Sequence, residues 1–301
     1  MATKSLPYIV LVATVVCIWA ASFIFIKIAL VEIPPITLAF VRFAIATPIL
    51  LAITARTRPS REAMKHALTR DAWTFVLLGL VGVTLLYVFQ FYSLRLISAT
   101  AGSVIINLHA VFAMLLSATF LNEPLTSRKT SGVFVAFSGV ILMTVEGSAN
   151  TSLNLIEPIG ALLMVAAALC WASYSVFGKR VLQRYSNQVA TSCAFLLGTL
   201  FLIPFALSEG QLNTLVHSSW LTWISVLFLA IPCSVIAYIL WNHMITTIDV
   251  TKVLVSLYFI PIPTAILSYF ILSEAITYPL AIGAALVIAG IYLTQSSKPV
   301  R

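Results

Sequence analysis

The chain has 301 residues, of which 61% are hydrophobic and 9% charged, with a mean hydropathy of +1.06. So little polar surface excludes a soluble globular protein and leaves a membrane protein. The net charge of +8 marks membrane orientation, as its distribution shows below, so no nucleic-acid partner is expected.

Apolar runs able to cross ~30 Å of hydrocarbon, at about 20 residues each, occur at 7–31, 36–55, 72–94, 99–121, 130–146, 159–178, 189–207, 219–242, 251–272 and 278–295. Runs this long and uniformly apolar lack the alternation of a barrel strand, so each reads as a helix. The first is too long for the apolar region of a signal peptide; its Trp19, Ser22, Phe23 and Lys27 share a broad face. The second carries Arg42, roughly 10 Å below Pro35 at 1.5 Å per residue, with no acidic residue near it in sequence. A charge at that depth needs an account: it either holds a substrate carboxylate or caps carbonyls between helices. Residues 54–71 are the longest charged stretch, a solvated linker or an interfacial helix.

The third run offers Tyr87 and Gln90, and ends near Arg95, which is expected, like Lys27, to snorkel to the surface. The fourth has Asn107 and His109, two positions apart and therefore on nearly opposite sides of a helix. Asn107 falls with Ser103, Ala110, Met114 and Ser117 and is expected to face a pathway. His109, with Gly102, Ala113 and Leu116, reads as a packing residue or a proton carrier. In the fifth, Gly132, Ala136 and Gly139 form a narrow face, as Gly283 and Gly290 do in the tenth, for close contact between halves or protomers. The sixth repeats the first helix's set as Trp171, Tyr174, Ser175 and Lys179, and the eighth brings Tyr238, Trp241 and Asn242 together. Aromatic groups with polar tips on facing helices suit a cavity for a small amphipathic solute; interfacial belts are the other reading. The ninth carries Tyr258 opposite Asn107 in the repeat, and Pro261 and Pro263, whose missing donors mark a moving or coordinating element.

Residues 98–126 recur at 249–277 without a gap, at an offset of 151. Thr100, Ser117, Glu123 and Thr126 meet Thr251, Ser268, Glu274 and Thr277 in that register, and Tyr87, Gly132 and Gly139 meet Tyr238, Gly283 and Gly290. Polar and glycine positions recurring at one offset indicate a duplication. Orientation follows from the basic residues: with the N-terminus cytoplasmic, 14 of the 17 fall on the cytoplasmic side. Each copy holds five spans, so the second enters the membrane from the opposite side, and Glu123 and Glu274 close opposite faces. The expected fold is an all-α polytopic membrane protein of ten transmembrane helices in two inverted five-helix repeats, 1–150 and 151–301, both termini cytoplasmic.

Cys17, Cys170, Cys193 and Cys233 lie in spans at no metal-ligand spacing and read as small apolar residues. No catalytic set and no phosphate-binding glycine loop is visible, so neither an enzyme nor ATP coupling is expected, and no cofactor or metal. No carboxylate lies at mid-depth, which weighs against proton exchange for a cationic drug.

Trp-Ala-Ala-Ser at Trp19–Ser22 with Lys27, Val-Arg-Phe at Val41–Phe43, and the run from Tyr92 to Thr100 resemble the drug/metabolite transporter superfamily, in its ten-helix EamA-type branch. The glutamates ending the fourth and ninth helices, Glu123 and Glu274, fit that branch. The resemblance covers the whole chain and implies a cell-membrane exporter of amino acids or related small metabolites, working by alternating access. A cationic drug antiporter is the alternative, and a receptor or membrane enzyme a more remote one; both monomer and homodimer are compatible. Ala110 stands where the second copy has Pro261, so the two halves are expected to bend differently.

Overall fold

The computed structural model describes residues 6–121, 126–145, 156–247 and 256–295; Glu123 lies outside the described residues. Every described element is a helix, with no strand among the described residues. In chain order these are α1 (Leu6–Ala29), α2 (Pro35–Thr54), α3 (Arg58–Thr69), α4 (Ala72–Leu96), α5 (Ala99–Ile105, continuing to Leu121) and α6 (Ser127–Val145). There follow α7 (Ile156–Leu182), α8 (Asn187–Glu209), α9 (Trp220–Phe228, continuing to Thr247), α10 (Leu257–Leu272) and α11 (Tyr278–Gln295). Seven of them, α1, α2, α4, α5, α7, α8 and α9, are long and apolar enough to cross a membrane, and α10 and α11 are shorter apolar helices.

Local chemistry sets the ends. The hydroxyls of Ser98, Ser186 and Ser219 accept from the N–H groups of Ala101, Val189 and Thr222, capping α5, α8 and α9. Pro34 and Pro35 open α2, where a missing N–H costs nothing. Gly210, with φ of +66°, ends α8 in the left-handed conformation that glycine adopts without steric cost. Thr57 caps α3, whose Ala67 is buried and whose Ala63, Met64 and Leu68 pack beside Phe75 and Val189, leaving Arg58, Arg61 and Lys65 exposed. Residues 58–69 are thus a docked amphipathic helix. It is anchored by Asp71, which accepts from the Tyr185 hydroxyl at 2.7 Å and pairs with Arg184 at 3.3 Å. The hydroxyl bond is the main reason the Asp71 carboxyl is held below the usual range, and burial together with that bond pushes the Tyr185 phenol to about 12.

Two interruptions recur along the chain. A 3₁₀ turn at Ile106–Leu108 in α5 has its counterpart at Leu257–Phe259 in α10, 151 positions on. Only the second is followed by proline, so Pro261 accommodates a break that α5 makes without it. The difference in bending expected from Ala110 falls elsewhere: α10 ends in a π-helical turn at Ser268–Leu272, where α5 stays α-helical to Leu121. Widened π turns also occupy Leu80–Leu85 in α4 and Leu229–Ile236 in α9. Hydroxyls take up carbonyls five positions back in each, Thr84 on Gly79 at 3.4 Å and Ser234 on Leu229 at 2.8 Å.

Helices α6 and α11 meet backbone to backbone. A Cβ on Gly290 would lie 2.4 Å from the Ala136 nitrogen and 2.6 Å from the Gly132 oxygen; one on Gly139 would lie 2.6 Å from the Gly283 oxygen. The two narrow faces therefore pack on each other within one chain. At the centre, Tyr87 and Tyr238 join hydroxyls at 3.1 Å, and Thr47 and Thr199 theirs at 2.8 Å.

Candidate substrate cavity

Two adjoining pockets lie among these helices. The larger has a volume of about 520 Å³, inside the ~300–1,000 Å³ range of small-molecule sites. Its walls carry Trp171, Tyr174 and Lys179 from α7, Tyr238, Trp241 and Asn242 from α9, Tyr258 from α10, and His109, Ala110, Met114 and Ser117 from α5. Lys129, Lys179 and Asn187, at the ends of their helices, place its mouth on the face that also holds α3 and Arg184. Trp19, Leu86, Trp171 and Tyr238 line both pockets and form the neck between them. Trp19 is held there by donating its indole N–H to the Cys233 carbonyl at 3.3 Å and by ring contacts with Tyr238 and Trp241 at 5.7 and 5.2 Å.

Beyond the neck is a recess of about 60 Å³, lined by Ser22, Phe23, Arg42, Tyr87, Gln90, Asn107 and Cys233. Arg42 is 2% exposed. Its Nε donates to Ser234 Oγ at 2.8 Å and its Nη2 to Cys233 Sγ at 3.3 Å, while the guanidinium lies 4.6 Å from the Tyr87 ring centre and 5.3 Å from that of Phe43. The ion pairs among the described residues are Lys27–Glu274 and Arg184–Asp71, so Arg42 has no carboxylate partner there, and it caps no carbonyl. Burying a charge with only neutral partners is costly; the rings on which it lies return part of that.

The opposite face is closed by carboxylates seated on helix N-termini, where backbone N–H groups and the helix dipole favour negative charge. Glu274 accepts from the Ala99 N–H at 2.9 Å and the Ser268 hydroxyl, and pairs with Lys27 at 3.6 Å, while Lys27 donates to the Ile97 carbonyl at 3.0 Å. Glu209, at the end of α8, accepts from Thr37 through N–H and hydroxyl, both at 2.7 Å, and from Tyr92 at 3.3 Å. Glu32 takes the Ser219 N–H at 2.7 Å, which holds its carboxyl below the usual range.

The residues expected at a site divide accordingly. Trp19, Ser22, Arg42, Tyr87, Gln90, Asn107, Trp171 and Tyr238 meet around the recess, and Tyr174, Trp241, Asn242, Tyr258 and Lys179 around the cavity. Lys27 and Glu274 stand together at the closed face, so Lys27 is paired there rather than snorkelling. Pro261 and Pro263 line neither pocket. His109 stacks on Trp171 at 4.1 Å, its Nδ1 is 3.2 Å from the Ile106 carbonyl, and it shares the cavity with Ala110, Met114 and Ser117, positions grouped with Asn107 by α-helical spacing. The 3₁₀ turn ends before His109 and leaves its angles to those three positions unchanged; His109 reaches the cavity wall by stacking on Trp171, which lines both pockets. Cys233 is more than a small apolar filler, since its thiol accepts from Arg42. Ser234 and Glu209 gave no sequence signal; both act on residues more than 170 positions away.

Comparison with known proteins settles what kind of chain this is. The EamA-like transporter family matches at residues 6–145 and again at 158–295. The chain belongs to that family. An uncharacterized transporter from Archaeoglobus fulgidus is 39% identical over 96% of this transporter and 97% of its own length. A probable amino-acid metabolite efflux pump from Salmonella typhimurium is 25% identical over 95% and 94%. A crystal structure with 21% identity aligns with a TM-score of 0.59 over 94% of both chains, a likeness of fold. The transporter is thus a multi-pass protein of the cell membrane, and its relatives are named as transporters, not enzymes.

Proposed function

We propose that this transporter exports an amino acid or a related zwitterion by alternating access, its carboxylate held by Arg42. The observation that carries this is the buried guanidinium at the blind end of an aromatic cavity, without a carboxylate partner among the described residues. The recess has room for a carboxylate and a water or two, and the cavity takes the remainder of the molecule. Arg42 and Lys179, with no carboxylate among the described lining residues, make the pathway basic, which disfavours a cationic drug. The relative named as an amino-acid metabolite efflux pump supports the same substrate class.

The architecture that goes with this function is ten crossings in two inverted repeats, 1–150 and 151–301, with both termini cytoplasmic. Supporting it are the self-pairing of positions 151 or 152 apart, Tyr87 with Tyr238 and Thr47 with Thr199, and the reciprocal pairs Gly132 with Gly290 and Gly139 with Gly283. Equivalent positions meet in this way across a two-fold axis. The distribution of basic residues supports an open mouth on the cytoplasmic side, where an exporter loads its cargo, with the glutamate-closed face outside.

Radiolabelled amino acids loaded into cells expressing the transporter provide the test. Saturable efflux of at least one, reduced in Trp19→Ala and lost in Arg42→Gln, is expected; no efflux of any of them, with a toxic cation moved instead, would overturn the reading. Labelling a cysteine introduced between 147 and 158 from the cytoplasm would overturn the orientation.

A further inference from the structure

We propose that the recess around Arg42 is a binding site for a small inorganic monoanion, chloride in a cell, which occupies it whenever substrate is absent. This rests on the reading of Arg42 as the group that holds a carboxylate, and extends it to the half of the cycle in which no carboxylate is present. A fixed guanidinium cannot shed its charge. A carrier that releases its substrate therefore either leaves that charge buried and uncompensated, which is strongly destabilising, or admits another anion.

The recess is built for the second course. Its volume of about 60 Å³ holds a halide and a few waters but no organic metabolite. Gln90, on the same wall, is 9% exposed, and its side chain makes no hydrogen bond with any described residue, a donor left over in a region where buried polar groups are normally satisfied. The Tyr87 and Tyr238 hydroxyls adjoin it; they share one hydrogen between them at 3.1 Å and so leave the other free to donate. Guanidinium, amide and phenol are all donors to an anion, and among the described residues no carboxylate lines either pocket to compete for them. Arg42 reaches Ser234 and Cys233 through Nε and Nη2, which leaves its Nη1 hydrogens without a partner among the described residues.

Halide and substrate then exclude one another at a single cationic site, so cytoplasmic chloride competes with the exported carboxylate. The test uses the purified full-length transporter in gluconate buffer, titrated with iodide while tryptophan fluorescence is read. Trp19 and Trp171 line the recess and report occupancy, whereas exposed Trp73 and Trp220 contribute only linear quenching. Saturable quenching reversed by chloride is expected, absent in Arg42→Gln and with iodide affinity reduced roughly five- to tenfold in Gln90→Leu. Quenching that stays linear in the wild-type protein would overturn the proposal. If Arg42→Gln fails to fold, Gln90→Leu decides: an unchanged iodide affinity overturns it. Because no amino acid is present, halide binding without amino-acid efflux sinks the substrate reading alone, and efflux indifferent to chloride together with linear quenching sinks this one alone.

Discussion

Arg42 is held by two neutral side chains and the faces of three aromatic rings. A buried charge with only neutral partners carries a desolvation cost that they offset in part, so Arg42→Met is expected to match or exceed the wild-type melting temperature. Export should nonetheless fall by about 30-fold or more, the consequence of losing about 2–5 kcal/mol of charge pairing with substrate. A variant that melts early and transports normally would contradict both halves of this. At the corner of α3, stability depends on pH. Since Asp71 titrates below its ordinary range when folded, its contribution is complete above about pH 4 and is lost as the pH falls through the depressed value. The raised Tyr185 phenol works in the other direction, its contribution fading as the pH climbs above about 10. Melting curves of Tyr185→Phe from pH 7 to pH 3 should show a flatter loss than wild type. The Arg42 position was legible in the sequence as a charge too deep to ignore, while Cys233 and Ser234 were not, because nothing in a sequence says that a π turn in α9 will aim two successive small side chains at α2.

Helix α6 is held against α11 by what its glycines lack. A methyl group at Gly290 would press on the backbone of Ala136 and Gly132, which cannot rotate away, so Gly290→Ala is expected to cost about 1–3 kcal/mol and Gly139→Leu more, read as thermal unfolding in detergent. Gly178, where an added Cβ would meet its nearest atom at 3.9 Å, is the control and should tolerate alanine. These elements were largely readable beforehand: the apolar runs gave the helices, and the glycine spacing gave the narrow faces. The partner of each narrow face was not readable, since a small stripe serves a second protomer as well as a second half. The 3₁₀ turn of α5 was hidden for a different reason. Its sequence, Ile-Asn-Leu, carries no proline or glycine, and the break becomes visible only beside α10, where Pro261 marks the same place. Helical spacing set Asn107 beside Ser103, whose carbonyl it does bond at 2.9 Å, and toward the recess it lines, but gave no sign that His109 would reach the cavity by stacking on Trp171.

Across the whole molecule the two faces are unequal: one presents the mouth of the cavity, and on the other Glu274, Glu209 and Glu32 each join separate helices. Opening the glutamate face requires those contacts to part. Glu274→Gln removes the charge that Lys27 and the α5 N-terminus share, and is expected to shift the resting population toward that opening. The native thiol of Cys233, 1% exposed at the recess, is the reporter. Its labelling by a membrane-impermeant thiol reagent applied from outside should rise several-fold in Glu274→Gln, and an unchanged rate would mean that these contacts do not hold the face shut. The glycine seam has a separate implication. Reciprocal pairing of Gly132 with Gly290 and Gly139 with Gly283 is the pattern of two identical subunits meeting face to face, so the covalent link between Val145 and Ile156 is dispensable to the contact itself. Produced as two polypeptides divided in that connection, the halves should find each other in the membrane and restore efflux, one molecule reassembled from the dimer it resembles.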